Sequence, residues 1–258
     1  MPKTPRLLVF QHIAIEHPGI FRDFLAEDGV DWVAVELDEG EAIPDLGGFD
    51  ALWVMGGPMD VWEEDEHPWF KEEKAAIREA VRARGLPYFG FCLGHQLLAD
   101  ALGGAVGRAE TPEIGVLDIE LTDDGAASPL FRGMSRHGKC LQWHGAEVTR
   151  PPAGGRILAS SPACRIQALS VGERAFSLQY HVEITATTVG DWAAVPAYKA
   201  ALEENLGADA LPRFHADTKR HMAGFNRDAR RLYDNFMGVA GLRRERRVRL
   251  AATGPAKP

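Results

Sequence analysis

The order of apolar and amphipathic segments predicts an α/β fold built on an open, mostly parallel sheet flanked by helices. Over the first hundred or so residues, short apolar runs alternate with segments of helical apolar period, a pattern typical of repeated βα units. From residue 104 to 179, β-rich runs follow one another between Gly, Pro and Asp turns, which predicts antiparallel strands added to the same sheet. After Glu183 the chain becomes helical, which predicts a C-terminal helical extension.

The parallel part of the sheet is predicted from four apolar runs, at residues 7–11, 32–37, 51–55 and 86–91. Helices are predicted between and after them, at residues 21–28, 69–84 and 96–102. The second helix shows the 3.6-residue apolar period most clearly. Each of the three helices is followed by a glycine that acts as a C-cap signal, at positions 29, 85 and 103.

The second half of the chain is divided in the same way. Antiparallel strands are predicted at residues 114–121, 139–143, 156–159, 165–171 and 175–179, and helices at residues 185–194, 197–206 and around 217–237. Because no change of composition marks a linker, we expect residues 1–241 to form one domain, with residues 185–241 as its helical extension. Residues 242–258 are locally basic, and we expect a solvated helix end that continues as a flexible tail.

Composition excludes several classes of function. The net charge of −8 argues against a broad surface for nucleic acid or for an anionic membrane. No apolar run approaches the ~20 residues that a membrane helix needs, and the N-terminal apolar run is too short for a signal peptide. Three cysteines, an odd number without metal-like spacing, predict free thiols in a reducing compartment, so we expect a cytoplasmic protein.

The segment around Cys92 has the pattern of a tight turn from a strand into a helix. It reads Tyr-Phe-Gly-Phe-Cys-Leu-Gly-His-Gln from residue 88 to 96. Gly90 and Gly94 carry no side chain where the backbone doubles back, which is the arrangement of a nucleophile elbow. A small buried cysteine at a strand end is the alternative interpretation. A thiol also needs a base or a positive dipole to become a nucleophile.

Two other segments contain the groups that such a thiol needs. His181 follows an apolar strand, and Glu183, two residues on, points the same way in an extended chain, so its carboxylate can orient the imidazole. Gly56 and Gly57 follow another strand, and their backbone N–H groups, with that of Leu93, can bind an oxyanion. Taken singly, the His181 segment also fits an edge-strand histidine beside a solvated glutamate, and the glycine segment also fits a plain βα turn.

Together, the three segments resemble class I glutamine amidotransferases. That family has a Gly-Gly-Pro oxyanion loop, a Gly-x-Cys-x-Gly-x-Gln elbow and a Gln-Phe-His-Pro-Glu segment, and this chain has Gly-Gly-Pro from 56, Gly-Phe-Cys-Leu-Gly-His-Gln from 90 and Gln-Tyr-His-Val-Glu from 179. The resemblance extends from about residue 7 to residue 183. It is greatest to the stand-alone, GMP-synthase-like branch. Val182 stands where proline is usual.

The resemblance implies a flavodoxin-like sheet and a role for each matched residue. Cys92 is the expected nucleophile, His181 the general base and acid, and Glu183 the carboxylate that orients it. Gly57 and Leu93 are expected to provide the oxyanion hole. The residues expected to bind the substrate are Gly56, Gln96, Trp143, His144 and Gly145. No metal or other cofactor is expected.

Three functions are compatible with this set of residues. The first is hydrolysis of glutamine through a Cys92 thioester, with ammonia passing to a synthetase on a separate chain or to solvent. The second is hydrolysis of γ-glutamyl peptides or conjugates by the same residues. The third is a non-catalytic regulatory module, against which the intact Cys, His and Glu set argues. The sequence contains no Gly-x-x-x-x-Gly-Lys-Ser/Thr motif and no synthetase module, so any ammonia acceptor is expected on another chain. If a homodimer forms, its contact is expected in residues 185–237.

Overall fold

A computed structural model describes residues 4–243 of the chain. Within them, the strands are β1 Arg6–Gln11, β2 Asp31–Glu36, β3 Ala51–Val54, β4 Tyr88–Phe91, β5 Ala105–Leu121, β6 His137–Arg150, β7 Gly155–Ser160, β8 Ala168–Val171 and β9 Ala175–Leu178. The helices are α1 Phe21–Asp28, α2 Trp69–Arg78, α3 Leu93–Ala101, α4 Asp123–Ala127, α5 Thr188–Ala193, α6 Pro196–Leu206 and α7 Ala210–Ala240. Most of the basic tail expected at residues 242–258 lies outside the described residues.

All nine of these strands join one sheet, in the order β2-β1-β3-β4-β9-β8-β7-β5-β6. Neighbouring strands from β2 to β9 run parallel, and β8, β7, β5 and β6 follow with antiparallel pairing. The predicted α/β class, with its antiparallel additions and helical extension, is therefore confirmed.

The prediction was wrong for β9, which was placed among the antiparallel additions. It pairs parallel with β4 and lies in the middle of the sheet, with Phe89 opposite Phe176. Every residue of β9 is buried, as expected for a strand covered on both faces. The apolar sequence of β9 does not show which strand lies beside it or in which direction that strand runs. Its parallel neighbour β4 precedes it in the chain by the whole antiparallel section.

Helices cover both faces of the sheet, and the alternation of side chains along β1 shows how. Leu7 and Val9 point into a core shared with α1 and α7, whereas Leu8 and Phe10 point into a core shared with α2 and α3. Phe236 of α7 stacks on a strand phenylalanine of the first core, with ring centroids 4.8 Å apart. The inner parallel strands β1, β3, β4 and β9 are therefore almost fully buried, so mainly their ends are available for chemistry, whereas the edge strand β2 is partly exposed.

Several element boundaries differ from the prediction. Helix α2 ends at Arg78 and continues as a wider π-helical turn over Glu79–Ala83, before Gly85 at a φ of 60°. Helix α3 begins at Leu93, directly after the cysteine, rather than three residues later. Strands β5 and β6 are longer than predicted, because their exposed halves lack an apolar pattern but pair with each other.

The helical extension packs against β5 and β6 through a third core. Trp143 of β6 contacts Trp192, Tyr198 and Phe214, with ring centroids 5.2 to 5.9 Å apart. These three residues belong to α5, α6 and α7, so the extension covers the carboxyl end of the parallel strands. No helix in the part of the chain that the structure describes has the length and apolar character to cross a membrane.

Candidate active site

Cys92 lies on a sharp turn between β4 and α3. Its φ of 49° makes it the one non-glycine residue with positive φ among the described residues, a conformation that costs about 1–3 kcal/mol. A Cβ on Gly94 would lie 2.1 Å from the Val54 carbonyl oxygen, and one on Gly90 would lie 2.6 Å from the Gly94 carbonyl oxygen. The structure thus gives both glycines the close backbone contacts expected at such a turn.

His181 and Glu183 follow β9 and meet Cys92 from the neighbouring strand. The backbone N–H of His181 donates to the Leu141 carbonyl at 2.9 Å, which fixes this segment against β6. Nδ1 of His181 donates to Oε1 of Glu183 at 2.6 Å, and the ring also interacts electrostatically with the Cys92 sulfur. All three side chains are buried. The structure therefore brings the three predicted residues into one array, with His181 between the thiol and the carboxylate.

Val182, which replaces the proline of the family pattern, contributes a hydrogen bond of its own. Its backbone N–H donates to Oε2 of Glu183 at 2.9 Å. A proline has no N–H to donate. Both oxygens of the Glu183 carboxylate consequently have a donor, so the carboxylate is held by one more hydrogen bond than a proline would permit.

Opposing effects act on the protonation of His181. Burial lowers the pKa of His181, but the Glu183 carboxylate and the Cys92 sulfur raise it, and the net result is a pKa well above the usual 6.5. Trp192 closes the site over the imidazole, with ring centroids 4.4 Å apart. A buried imidazolium of this kind can stabilise a thiolate and can later protonate a leaving group.

The glycine loop after β3 lies beside the elbow. A Cβ on Gly57 would lie 2.9 Å from a methyl carbon of Leu93, which places this loop directly beside the start of α3. The backbone N–H groups of Gly57 and Leu93 donate to no protein acceptor within the described residues. Two unused donors next to Cys92 have the chemistry of an oxyanion hole.

His12 fixes this loop from behind. Its Nδ1 donates to the Gly56 carbonyl at 2.8 Å, and its Nε2 lies 3.0 Å from Oε1 of Glu73. Burial lowers the pKa of His12, but the Glu73 carboxylate outweighs this effect and the pKa is raised. The imidazole can then donate on both sides, and it links the loop to α2.

A cavity of about 390 Å³ opens in front of Cys92. Seven of the ten predicted site residues line it: Gly57, Cys92, Leu93, Gln96, Trp143, His144 and Gly145. The other three, Gly56, His181 and Glu183, do not. Polar and charged residues also line the cavity: Asp60, Arg108, Glu204 and Asn205.

Gln96 lines the cavity and also makes hydrogen bonds within the protein. Its amide nitrogen donates to the Ala146 carbonyl at 3.1 Å and to Oε1 of Gln179 at 3.2 Å. The amide of Gln179 in turn lies 3.7 Å from the Cys92 sulfur. The two glutamines thus connect β6 to the thiol. The sequence did not predict a role for Gln179, because a glutamine at that position of the motif does not by itself indicate a chemical function.

Glu16 is the main site residue that the sequence did not reveal. It is 1 % exposed, and one oxygen each of Glu16 and Glu183 and a ring nitrogen of His181 lie within 4.8 Å of one another. Tyr198 of α6 donates to Oε1 at 2.5 Å, while Oε2 has no partner. Burial raises the pKa of Glu16 to about 7, although His181 and the Tyr198 hydrogen bond lower it. No motif surrounds Glu16, so only the fold shows its position.

Two groups of side chains within the described residues have donor atoms close enough to share a metal ion. One is Glu16 with His181 and Glu183, which belongs to the array at Cys92. The other is Glu113, His144 and Cys164, all of which are buried. The structure therefore has a second cluster of titratable side chains, distinct from the array at Cys92.

Comparison with known proteins identifies the class of this chain. The model of the family described as "Glutamine amidotransferase class-I" matches residues 22–192. That span contains the elbow, the glycine loop and the His181 segment. The chain belongs to the class I glutamine amidotransferase family.

Individual relatives agree with this assignment. The chain is 34% identical to one of the subunits of the glutamine-hydrolyzing GMP synthase of Sulfolobus acidocaldarius, over 61% of this chain and 79% of that protein. It is 32% identical to the glutamine amidotransferase-like protein YfeJ of Salmonella typhimurium over 69% of this chain and 75% of that protein. The crystal structure of a glutamine amidotransferase from Methylobacillus flagellatus superposes with a TM-score of 0.83 at 29% identity, over 94% of this chain and 97% of that one.

Proposed function

We propose that the protein hydrolyses the γ-amide of glutamine through a thioester on Cys92. The observation that carries the proposal is the buried array in which His181 hydrogen-bonds the Glu183 carboxylate and interacts electrostatically with the Cys92 sulfur. The strained backbone of Cys92 supports it, because such conformations persist where a function requires them. Membership of the glutamine amidotransferase family supports the choice of substrate.

Acylation is the first half of the reaction. The Cys92 thiolate attacks the γ-carbonyl carbon, and the resulting oxyanion is bound by the N–H groups of Gly57 and Leu93. The His181 imidazolium gives its proton to the departing nitrogen, and ammonia leaves as the C–N bond breaks. A γ-glutamyl thioester remains on Cys92, and Glu183 keeps the ring in the orientation that these transfers need.

Deacylation completes the cycle. His181, now neutral, takes a proton from a water molecule as that water attacks the thioester carbonyl. The same two N–H groups bind the second oxyanion, the C–S bond breaks, and glutamate leaves. Cys92 and His181 return to the thiolate and imidazolium with which the cycle began, so one water is consumed for each ammonia released.

The substrate's amino-acid end is assigned to the strand that contains Trp143, His144 and Gly145. The Trp143 carbonyl lies 4.0 Å from the Cys92 sulfur, so this backbone flanks the nucleophile. Gln96 and Gly56 act indirectly in this proposal. Gln96 holds the strand through a hydrogen bond to the Ala146 carbonyl. Gly56 leaves room for the Glu16 carboxylate, because a Cβ at position 56 would lie 2.7 Å from its Oε2.

The ammonia is proposed to pass to a synthetase on a separate chain or to solvent. The Sulfolobus relative is named as one component of a GMP synthase of several chains, which supports a division of labour between chains. We further propose that residues 1–241 act as one domain, because α5 to α7 complete the wall of the site. The three cysteines are unpaired, which supports a cytoplasmic location. A homodimer contact in the extension stays a prediction.

A second candidate is hydrolysis of γ-glutamyl conjugates by the same residues. The observation in its favour is the cavity, which extends from Cys92 to Arg108 and Glu204. Its volume of about 390 Å³ is within the range of about 300–1,000 Å³ that accommodates drug-sized ligands. Glutamine has ten heavy atoms and leaves much of that space for a larger leaving group.

Steady-state kinetics with glutamine and with γ-glutamyl dipeptides separates these candidates. Glutamine hydrolysis is expected in the wild type and is expected to be lost in Cys92→Ala. Cys140→Ala, which removes a buried thiol outside the site, is the matched control and should retain the activity. A kcat/KM for a dipeptide that exceeds the value for glutamine by a hundredfold or more would establish the second candidate instead. Absence of both activities would leave the non-catalytic alternative.

A further inference from the structure

We propose that Glu113, His144 and Cys164 form a binding site for a single divalent transition-metal ion of the Zn²⁺ type. Three segments contribute one side chain each. Glu113 of β5 lies directly opposite His144 of β6 in the strand register, and Cys164 belongs to the loop between β7 and β8. The three residues are 4 %, 5 % and 1 % exposed. One donor atom of each lies within 4.8 Å of the other two.

The orientation of the His144 ring is fixed by its surroundings. Nδ1 of His144 lies 3.0 Å from the Ala146 carbonyl, and because a carbonyl only accepts, Nδ1 carries the proton. Nε2 of the same ring lies 3.2 Å from Oε2 of the Glu113 carboxylate. This buried nitrogen has no hydrogen-bond partner. In a metal-binding histidine, one ring N–H is usually oriented by a carbonyl or carboxylate while the other ring nitrogen binds the metal.

The Glu113 carboxylate is held in place as a metal ligand needs to be. The Ser161 hydroxyl donates to Oε1 at 2.7 Å, and the Gln167 amide donates to Oε2 at 2.6 Å. Both donors hold the carboxylate in place. They also fix its orientation toward His144, in the way that outer hydrogen bonds orient metal-binding carboxylates.

Cys164 determines the class of metal. Sulfur, imidazole nitrogen and carboxylate oxygen together suit Zn²⁺ and its neighbours in the transition series, whereas Mg²⁺ and Ca²⁺ prefer oxygen alone. Burial and the neighbouring Glu147 carboxylate raise the pKa of Cys164. Metal binding therefore releases the thiol proton to solvent and weakens as the pH falls.

Metal at this site would act on the strand that flanks the nucleophile. His144 follows Trp143, whose carbonyl lies 4.0 Å from the Cys92 sulfur. Binding would join β5, β6 and the β7–β8 loop through one ion and so restrain that strand. The test of the metal site measures metal binding rather than activity, so its outcome does not depend on whether the protein hydrolyses glutamine.

Cobalt(II) spectroscopy on the full chain, purified without a histidine tag, tests the proposal. Co²⁺ is added to Cys92→Ser protein, so that the thiol of the array at Cys92 cannot contribute. The expected result is a thiolate-to-cobalt absorption band that saturates at one equivalent and disappears when Zn²⁺ is added. The band should vanish in Cys92→Ser/Cys164→Ser protein and persist in Cys92→Ser/Cys140→Ser protein, the matched control.

A second variant keeps the test decisive if loss of Cys164 impairs folding. Glu113→Gln, also in the Cys92→Ser background, should weaken Co²⁺ binding at least about tenfold, with thermal melting as the check on folding. Absence of the band in Cys92→Ser protein overturns the proposal, as does a band that survives Cys164→Ser. Unchanged affinity in a folded Glu113→Gln variant also overturns it.

Discussion

Buried charges around His181 set the protonation states on which the proposed reaction depends. Glu183 and Cys92 raise the pKa of His181 against the effect of burial. Glu16 adds a second carboxyl group within 4.8 Å of His181 and Glu183. Because burial brings the pKa of Glu16 to about 7, this carboxyl is largely neutral in slightly acid solution and largely ionised above neutrality. The charge beside His181 therefore changes in the range where the enzyme is expected to work.

Replacing Glu16 by glutamine should stabilise the protein more at pH 8 than at pH 5. The pKa of Glu16 rises from an ordinary 4.5 to about 7 on folding, so between these values the folded state binds more protons than the unfolded state. Wild-type stability consequently falls as the pH rises through this window, by on the order of 3 kcal/mol in total. The glutamine side chain at position 16 does not titrate, so the variant lacks this pH dependence of stability. The free energy of unfolding, measured with urea at both pH values, gives the comparison.

The exposed Glu39→Gln variant is the control for this measurement. The difference in free energy of unfolding between Glu39→Gln and wild type should be the same at pH 5 and at pH 8. A Glu16→Gln variant with the same pH dependence of stability as wild type would show that Glu16 is ionised throughout and that burial does not raise its pKa.

At the scale of elements, the site depends on two turns that leave no room for side chains. The elbow at Cys92 packs against the end of β3, where the Val54 carbonyl touches Gly94. The loop before α1 packs in the same way on the His181 segment, because a Cβ on Gly19 would lie 1.6 Å from the Glu183 carbonyl oxygen. These contacts bring the ends of β3, β4 and β9 together at one edge of the sheet.

Gly94→Ala should destabilise the protein by about 3 kcal/mol or more, because the new methyl group would lie 2.1 Å from a carbonyl oxygen that belongs to the sheet. Gly238→Ala is the matched control: it lies in α7, nothing is within 4 Å of its added Cβ, and it should stabilise the protein by about 0.5–1 kcal/mol. Urea denaturation of both variants measures the difference. Equal stabilities for the two variants would contradict the packing described for the elbow.

Most of the elements could be predicted from the sequence, and so could the three segments of the site. The βα units have clear periods and glycine stops, and the residues around Cys92, Gly57 and His181 are contiguous motifs. The direction of β9 and the position of Glu16 could not be predicted in this way. Both depend on which distant segments meet: β9 on its pairing with β4, and Glu16 on burial between the glycine loop and α6. Burial of a lone carboxylate leaves no local pattern.

At the scale of the whole molecule, the C-terminal helices are part of the site. Trp192 of α5 covers the His181 ring, and Tyr198 of α6 is a hydrogen-bond partner of Glu16, 182 residues earlier in the chain. Tyr198 also lines the cavity in front of Cys92. The extension therefore connects the two ends of the chain across the proposed catalytic residues.

Tyr198→Phe should destabilise the protein by about 1–3 kcal/mol, because it leaves both oxygens of the buried Glu16 without a partner. A double-mutant cycle with Glu16→Gln measures the coupling between the two residues. We expect the loss caused by Tyr198→Phe to differ by at least about 0.5 kcal/mol between the wild-type and the Glu16→Gln background. If the effects of the two substitutions on stability are additive, the hydrogen bond between Tyr198 and Glu16 does not couple α6 to Glu16.

Covalent labelling by a glutamine-analogue electrophile tests the central claim, that Cys92 is the nucleophile of a γ-glutamyl transfer. The wild-type protein is incubated with 6-diazo-5-oxo-L-norleucine, with and without excess glutamine, and the adduct is located by peptide mass spectrometry. We predict one adduct per chain, on Cys92, formed more slowly when glutamine is present and absent in His181→Ala protein. Absence of an adduct on Cys92 would contradict this claim. Equal labelling of Cys92 and Cys140 that glutamine does not slow would also contradict it.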